Sequence, residues 1–294
     1  MPYPAHEAFV APARPRAQIW RTVLGLALIL AIYAAGFAAL FGLMALVAGL
    51  DGARALMAQM GGTGAPTSAL LVLATFIGMA LGPLLVARLL HKRRAGTLFG
   101  PARRTYRDFI VAMAICAALY GALALIPSDQ PLARALDARL WLMLLPLTLA
   151  GILLQTGAEE ILFRGYLQQQ LAARFASPVI WMILPSVIFA LGHYQPQTMG
   201  DNAWLVVLAV GLFAILAADL TAVTGSIGAA WGYHFANNTM GIAVVSMDGP
   251  LSGLALFTLT TDPATLDMRT GIWIDMTLTV ITWAAIRYAV TRRR

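Results

Sequence analysis

The chain has 294 residues, of which 60% are hydrophobic and only 11% are charged, and its mean hydropathy is +0.77. This composition excludes an ordinary soluble domain, in which roughly a quarter of the residues are charged. The formal net charge is +7, but the basic residues cluster between apolar segments. They are therefore assigned to loops beside anionic lipid rather than to a nucleic-acid surface. The single cysteine, Cys116, excludes a disulfide framework.

Apolar runs of about 20 residues are long enough to cross the roughly 30 Å hydrocarbon core of a bilayer as helices. The sequence thus predicts an all-α polytopic membrane protein with about eight transmembrane helices. Residues 1–18 contain four prolines and are predicted to form a disordered cytoplasmic tail, whereas residues 19–294 form the transmembrane domain. The predicted spans are residues 19–46, 69–90, 108–127, 140–158, 178–195, 203–221, 226–247 and 271–290.

The orientation of the spans is predicted from the positions of Lys and Arg, which favour cytoplasmic loops. Basic clusters precede the first span, fill the connection after the second span and follow the last one; they include Arg14, Arg16, Arg21, Lys92, Arg93, Arg94, Arg103, Arg104, Arg107, Arg292, Arg293 and Arg294. With eight spans, all three clusters lie on one side. Both termini are therefore predicted to be cytoplasmic, in a cell membrane. Lys92 is the one lysine among 20 basic residues. This excess of arginine suggests a bacterial source with a high GC content, and we therefore expect a bacterial inner membrane. We also expect the first span to be retained, because its apolar run is too long for a cleaved signal peptide.

Two of the few acidic residues in the apolar spans are adjacent, at Glu159 and Glu160. An ionisable side chain at bilayer depth costs roughly 2.5–3.5 kcal/mol on insertion scales, so this pair indicates a functional site. Glu160 and Arg164 are four residues apart on one helical face and are predicted to form an ion pair. Glu159 points about 100° away, towards Gln155 and Phe163. It remains available as a general base, since partial desolvation favours that role.

Two histidines lie in later spans, His193 and His234. A turn at residues 176–178 would fold the fourth and fifth spans into a hairpin, with Glu159 and His193 each about 25 Å from the turn and hence level. Asn238 follows His234 by one helical turn, so an imidazole and an amide could donate hydrogen bonds to one developing oxyanion. Phe189, one turn before His193, would wall the same pocket.

Each of these features also has a purely structural interpretation. The glutamates and Arg164 could form an interhelical packing network, and histidine or asparagine side chains often hydrogen-bond between membrane helices. The occurrence of all of them in apolar spans favours one shared intramembrane polar cavity.

The order Glu159-Glu160-x-x-x-Arg164, Phe189-x-x-x-His193 and His234-x-x-x-Asn238 resembles the three motifs of the CAAX protease and bacteriocin-processing (CPBP) family of intramembrane proteases. The resemblance covers about residues 150–245. It implies an endopeptidase of eight helices that hydrolyses a peptide bond of a membrane-associated protein or peptide.

The resemblance also implies a role for each motif residue. Glu159 and His193 would activate a water, and His234 with Asn238 would stabilise the tetrahedral oxyanion. Supporting roles would fall to Glu160, Arg164 and Phe189.

Three alternatives remain at this point. One carboxylate and two imidazoles form a reasonable zinc set, here Glu159, His193 and His234. H-E-x-x-H is absent, and we favour the metal-free water mechanism without a cofactor. A different class of function is a non-proteolytic membrane immunity or scaffold protein that retains the polar cluster. A transporter that uses the glutamates as a proton relay is less favoured, because no inverted repeat is seen. The sequence indicates no particular substrate.

Overall fold

A computed structural model describes residues 3–62, 64–125, 132–260 and 265–292. Arg293 and Arg294 of the last basic cluster therefore lie outside the described residues. The α-helices are α1 (Pro4–Val10), α2 (Ile19–Met60), α3 (Pro66–Leu89), α4 (Ala102–Leu123), α5 (Ala138–Glu160), α6 (Gln169–Arg174), α7 (Leu184–Leu191), α8 (Pro196–Met199), α9 (Ala203–Thr224), α10 (Gly228–Thr239) and α11 (Leu266–Arg292). The prediction of an all-α polytopic membrane protein is confirmed.

Five of the described helical segments are long and apolar enough to cross a membrane. They are Ile19–Met60, Pro66–Leu89, Ala95–Leu123, Ala138–Arg174 and Pro196–Thr224. Val179–Leu191 is a shorter apolar helix. The total of eight spans stays a prediction. In α2, Gly49 has a left-handed φ of 75°, a conformation that suits glycine because it has no Cβ. It introduces a kink just after the predicted end of the first span at residue 46.

A small sheet, which the sequence did not predict, joins two connections. β1 (Leu132–Arg134) pairs antiparallel with β3 (Phe257–Leu259), and β3 pairs parallel with β2 (Val245–Ser246). The strands are two or three residues long, too short for an alternating pattern to reveal them. They tie the segment before α5 to the one that follows α10.

Helix α10 lies at the centre of the bundle, in contact with α4, α5 and α9. Two glycines one turn apart let it approach α4 closely. A Cβ at Gly228 would lie 2.1 Å from the carbonyl oxygen of Thr105, and a Cβ at Gly232 would lie 2.2 Å from that of Phe109. Small residues at such crossings allow membrane helices to pack backbone to backbone. This packing fixes the position of His234, two residues later.

The prediction that residues 1–18 form a disordered tail is wrong for the part that is described. Pro4–Val10 is α-helical, with proline at its first turn where the missing N–H costs nothing, and Ala11–Arg16 forms a 3₁₀ helix. His6, Phe9 and Val10 are buried. The His6 ring stacks on Trp181 with 4.5 Å between ring centroids. The segment is ordered because it buries aromatic surface that its proline content does not reveal.

Candidate active site

The two glutamates are the last residues of α5, which continues into a π-helical segment, Ile161–Gln168, and then into α6. Widened turns of this kind occur frequently at functional sites, since they redirect side chains within a helix. Glu159 is 9% exposed and Glu160 is fully buried. Both carboxylates therefore need partners within the protein.

Two side chains, Arg164 and His234, hold the Glu160 carboxylate. Arg164 Nη1 donates to Glu160 Oε1 over 2.8 Å, so the ion pair expected from helical phase is present. His234 Nδ1 donates to the same oxygen, also over 2.8 Å. Arg164 Nη2 donates to the carbonyl oxygen of Ala214 on α9. Glu160 therefore links α5 to α10, and Arg164 links the same unit to α9.

His234 stands between the two glutamates. Its Nδ1 is committed to Glu160, which fixes the ring orientation, and its Nε2 lies 3.4 Å from Glu159 Oε2. That second distance is longer than a good hydrogen bond. The sequence predicted neither contact. Glu159 Oε2 is buried and has no hydrogen-bond partner among the described residues.

His193 follows the end of α7 and is partly buried. Its Nδ1 lies 2.9 Å from the carbonyl oxygen of Phe189. A carbonyl only accepts, so Nδ1 carries the donated proton and Nε2 of the neutral ring keeps a lone pair. A histidine held in this tautomer can accept a proton at Nε2. The Phe189 ring lies beside the His193 ring, with 4.8 Å between centroids.

A polar cavity of about 180 Å³ collects these side chains. Its lining includes Gln155, Glu159, Phe189, His193, His234, Asn237, Asn238, Asp275 and Thr279. The structure thus brings Glu159, His193, His234, Asn238 and Phe189 together. Glu160 and Arg164 lie behind His234 and do not line the cavity. A single water needs roughly 10–15 Å³ of such volume, so the cavity has room for several waters.

Four polar residues of the cavity, Gln155, Asn237, Asp275 and Thr279, had no role in the predicted site. Gln155 lies one turn before Glu159, and its Oε1 accepts a 2.8 Å hydrogen bond from Asn238 Nδ2. Helical phase had already placed Gln155 on the face of Glu159. Asp275 and Thr279 come from α11. An aspartate inside an apolar span was the signal available for Asp275.

The zinc alternative requires three ligands around one point. The described part of the chain contains no group of three or more His, Cys, Asp or Glu side chains arranged to hold a metal ion. Glu159, His193 and His234 share a cavity without forming such a group. No step through zinc is therefore derived, and the metal-free mechanism stays a prediction.

The segment that carries the candidate active site is similar to known proteins. Residues 137–240 match the family model described as Rce1-like, type II CAAX prenyl endopeptidase. The matched range contains every residue of the three motifs, which confirms the family resemblance. The chain is also 27% identical over 162 residues to the uncharacterized protein YyaK of Bacillus subtilis (strain 168). That match covers 53% of this chain and 54% of the relative, about half the length of each. No solved structure matches the chain significantly.

Proposed function

We propose that this chain, with an Rce1-like segment at residues 137–240, is an intramembrane endopeptidase that hydrolyses a peptide bond of a membrane-associated protein or peptide. The family supports CAAX-type peptidase activity in general. The more specific proposal, that these residues hydrolyse a peptide bond, rests on the cavity that Glu159, His193, His234 and Asn238 share. A carboxylate base, an imidazole and an amide donor around one cavity are groups that can catalyse acyl hydrolysis.

In the proposed mechanism, a water lies between Glu159 and His193. The Glu159 carboxylate takes a proton from this water as its oxygen attacks the scissile carbonyl carbon. The second O–H of the water donates a hydrogen bond to the lone pair on His193 Nε2, which orients the water. A general base in such a position contributes about 10²–10⁴-fold to the rate.

Attack places a negative charge on the former carbonyl oxygen. Asn238 Nδ2 has two N–H bonds, of which one is donated to Gln155 Oε1, so the other is available to the oxyanion. His234 contributes a second donor when Nε2 is protonated. Collapse of the tetrahedral intermediate breaks the C–N bond, and the proton held by Glu159 passes to the leaving amine.

Glu160 and Arg164 act as positioning residues in this mechanism. Glu160 fixes the His234 ring through Nδ1, and Arg164 neutralises Glu160. Because neither lines the cavity, substitutions there should act through His234 and through folding rather than through contact with the substrate.

The test compares membranes of cells that carry wild-type protein or Glu159→Gln. A membrane peptide should accumulate only with the variant, and purified wild-type protein in liposomes should cleave that peptide. Glu7→Gln is the matched control, because it makes the same substitution in a surface ion pair with Arg14. Identical peptide profiles for all three proteins would favour the non-proteolytic immunity or scaffold function instead.

A further inference from the structure

Two further cavities lie away from the candidate active site, beside α1 and the start of α4. The first has a volume of about 330 Å³ and lies between α1, the connection that carries Arg94 and the first turn of α4, which carries Arg104. The second has a volume of about 470 Å³ and runs along the first turns of α4. Gly96 and Gly100 line both. The two cavities are therefore neighbours, and together they are here called the basic–apolar cleft.

The first half of the cleft carries uncompensated positive charge. Arg94 is exposed, and its guanidinium makes no hydrogen bond or ion pair with the described residues. Arg104 donates Nη1 to the carbonyl oxygen of Thr224 over 2.9 Å, which leaves its other N–H groups available. None of the described lining residues is acidic.

Nearby carboxylates are already occupied. Glu7 of α1 pairs with Arg14, and Asp108 of α4 pairs with Arg107 over 2.7 Å. The charge of Arg94 and Arg104 is thus left for a ligand, and that ligand must be an anion.

The second half of the cleft is almost entirely hydrocarbon. Its walls include Phe99, Phe109, Ile110, Leu153 and Trp231. The rings of Phe109 and Trp231 meet edge to face, with 5.5 Å between centroids. A free inorganic anion would leave this half unfilled, and an uncharged chain would leave the arginines without a partner.

We propose that the basic–apolar cleft binds one anionic phospholipid. The headgroup phosphate lies at Arg94 and Arg104, and an acyl chain follows α4 past Phe109 to Trp231. Arginine suits this task, because its planar guanidinium pairs with phosphate through two parallel N–H bonds. Basic pockets between membrane helices are a recurrent form of headgroup recognition.

The far end of the cleft contacts the helix that carries the glutamates. Trp231 Nε1 donates to Thr156 Oγ1 over 3.2 Å, and a Cβ at Gly157 would lie 2.7 Å from the Trp231 ring. Trp231 is also three residues before His234. A bound acyl chain therefore supports the contact between α5 and α10 at the level of the active-site cavity.

The experiment is native mass spectrometry of the full-length protein with phosphatidylglycerol or phosphatidylcholine of identical chains. Wild type should retain one phosphatidylglycerol under conditions that remove phosphatidylcholine. Each arginine near an anionic lipid contributes about a fivefold factor in affinity, so the double variant Arg94→Gln/Arg104→Gln should bind about 30-fold more weakly. Arg103→Gln is the matched control, because Arg103 is exposed on the same helix and lines neither cavity; its affinity should stay within twofold of wild type.

Equal retention of the two lipids by wild type would overturn the proposal, and so would equal loss in the double variant and the control. A further measurement adds inorganic phosphate to the protein with its bound lipid. If millimolar phosphate displaces the lipid completely, the cleft is an anion site and not a phospholipid site. The lipid comparison and the phosphate arm use wild-type protein alone, so they remain decisive if the double variant fails to fold.

Discussion

Glu160→Gln should destabilise the fold strongly, whereas Glu159→Gln should not. The amide cannot neutralise Arg164, whose side chain is 2% exposed and whose Nη1 is 2.8 Å from Glu160 Oε1. Removal of one partner of a buried ion pair leaves an uncompensated charge and costs about 3–5 kcal/mol. At roughly 2–4 °C per kcal/mol for a chain of this size, the midpoint of thermal unfolding should fall by on the order of 10 °C.

The assay is thermal unfolding of the purified variants in one detergent, followed by tryptophan fluorescence. Glu159→Gln is the matched control, because among the described residues the Glu159 carboxylate has only the long contact to His234 at 3.4 Å. The double variant Glu160→Gln/Arg164→Met should recover part of the loss, since it removes both charges. Equal midpoints for the two glutamate variants, or no recovery in the double variant, would refute the assignment of Glu160 as a structural residue and Glu159 as the general base.

Four further predictions follow from the structure. Asn238→Ala should lower single-turnover cleavage by about 10²–10³-fold while leaving peptide binding intact, as expected for loss of one oxyanion donor; equal loss of binding would contradict this role. Cleavage should persist in a strong chelator, with little zinc found by elemental analysis, and stoichiometric zinc lost together with activity would overturn the metal-free mechanism. Burial lowers the pKa of His6 from 6.5 to about 4, so the folded segment keeps His6 neutral and loses stability as the pH falls from 6.5 towards 4. At pH 5.5 the free energy that stabilises the folded segment is lower by about 1.4 kcal/mol, which raises the population of its open state about tenfold. Hydrogen exchange of residues 3–16 should show this rise in wild type and not in His6→Phe. Reporter fusions should give a cytoplasmic signal after Arg94 and an external signal after Gly249, and the same side for both would contradict the eight-span topology.

The sequence predicted contacts that depend on one helix and missed contacts that depend on how helices meet. The Glu160–Arg164 pair follows from a spacing of four residues, which any α-helix places on one face. The bond from His234 to Glu160 depends on the position of α10 against α5. That position is set partly by the approach of Gly228 and Gly232 to α4, and no local pattern encodes it.

The ordered N-terminal segment was missed for a related reason. Proline content argues for disorder when a segment is considered alone. Here its partners lie far along the chain: Tyr3 donates to Asp219 across 216 positions, and Gln168 Nε2 lies 3.4 Å from His6 Nε2 across 162. Composition also gave no sign of the aromatic surface that Trp181 offers to His6.

The distance between Tyr3 and Asp219 has a consequence for biosynthesis. Residues 3–16 are made before α9, so their binding surface on α9 is complete only after residue 219 has been synthesised. At roughly 5–20 residues per second, this delay is on the order of 10–40 s. During that time the segment, whose His6, Phe9 and Val10 are buried in the finished protein, lacks the contacts that α9 makes with α1. The segment therefore docks late in translation, and a ribosome that stalls before α9 would leave it accessible to chaperones and proteases.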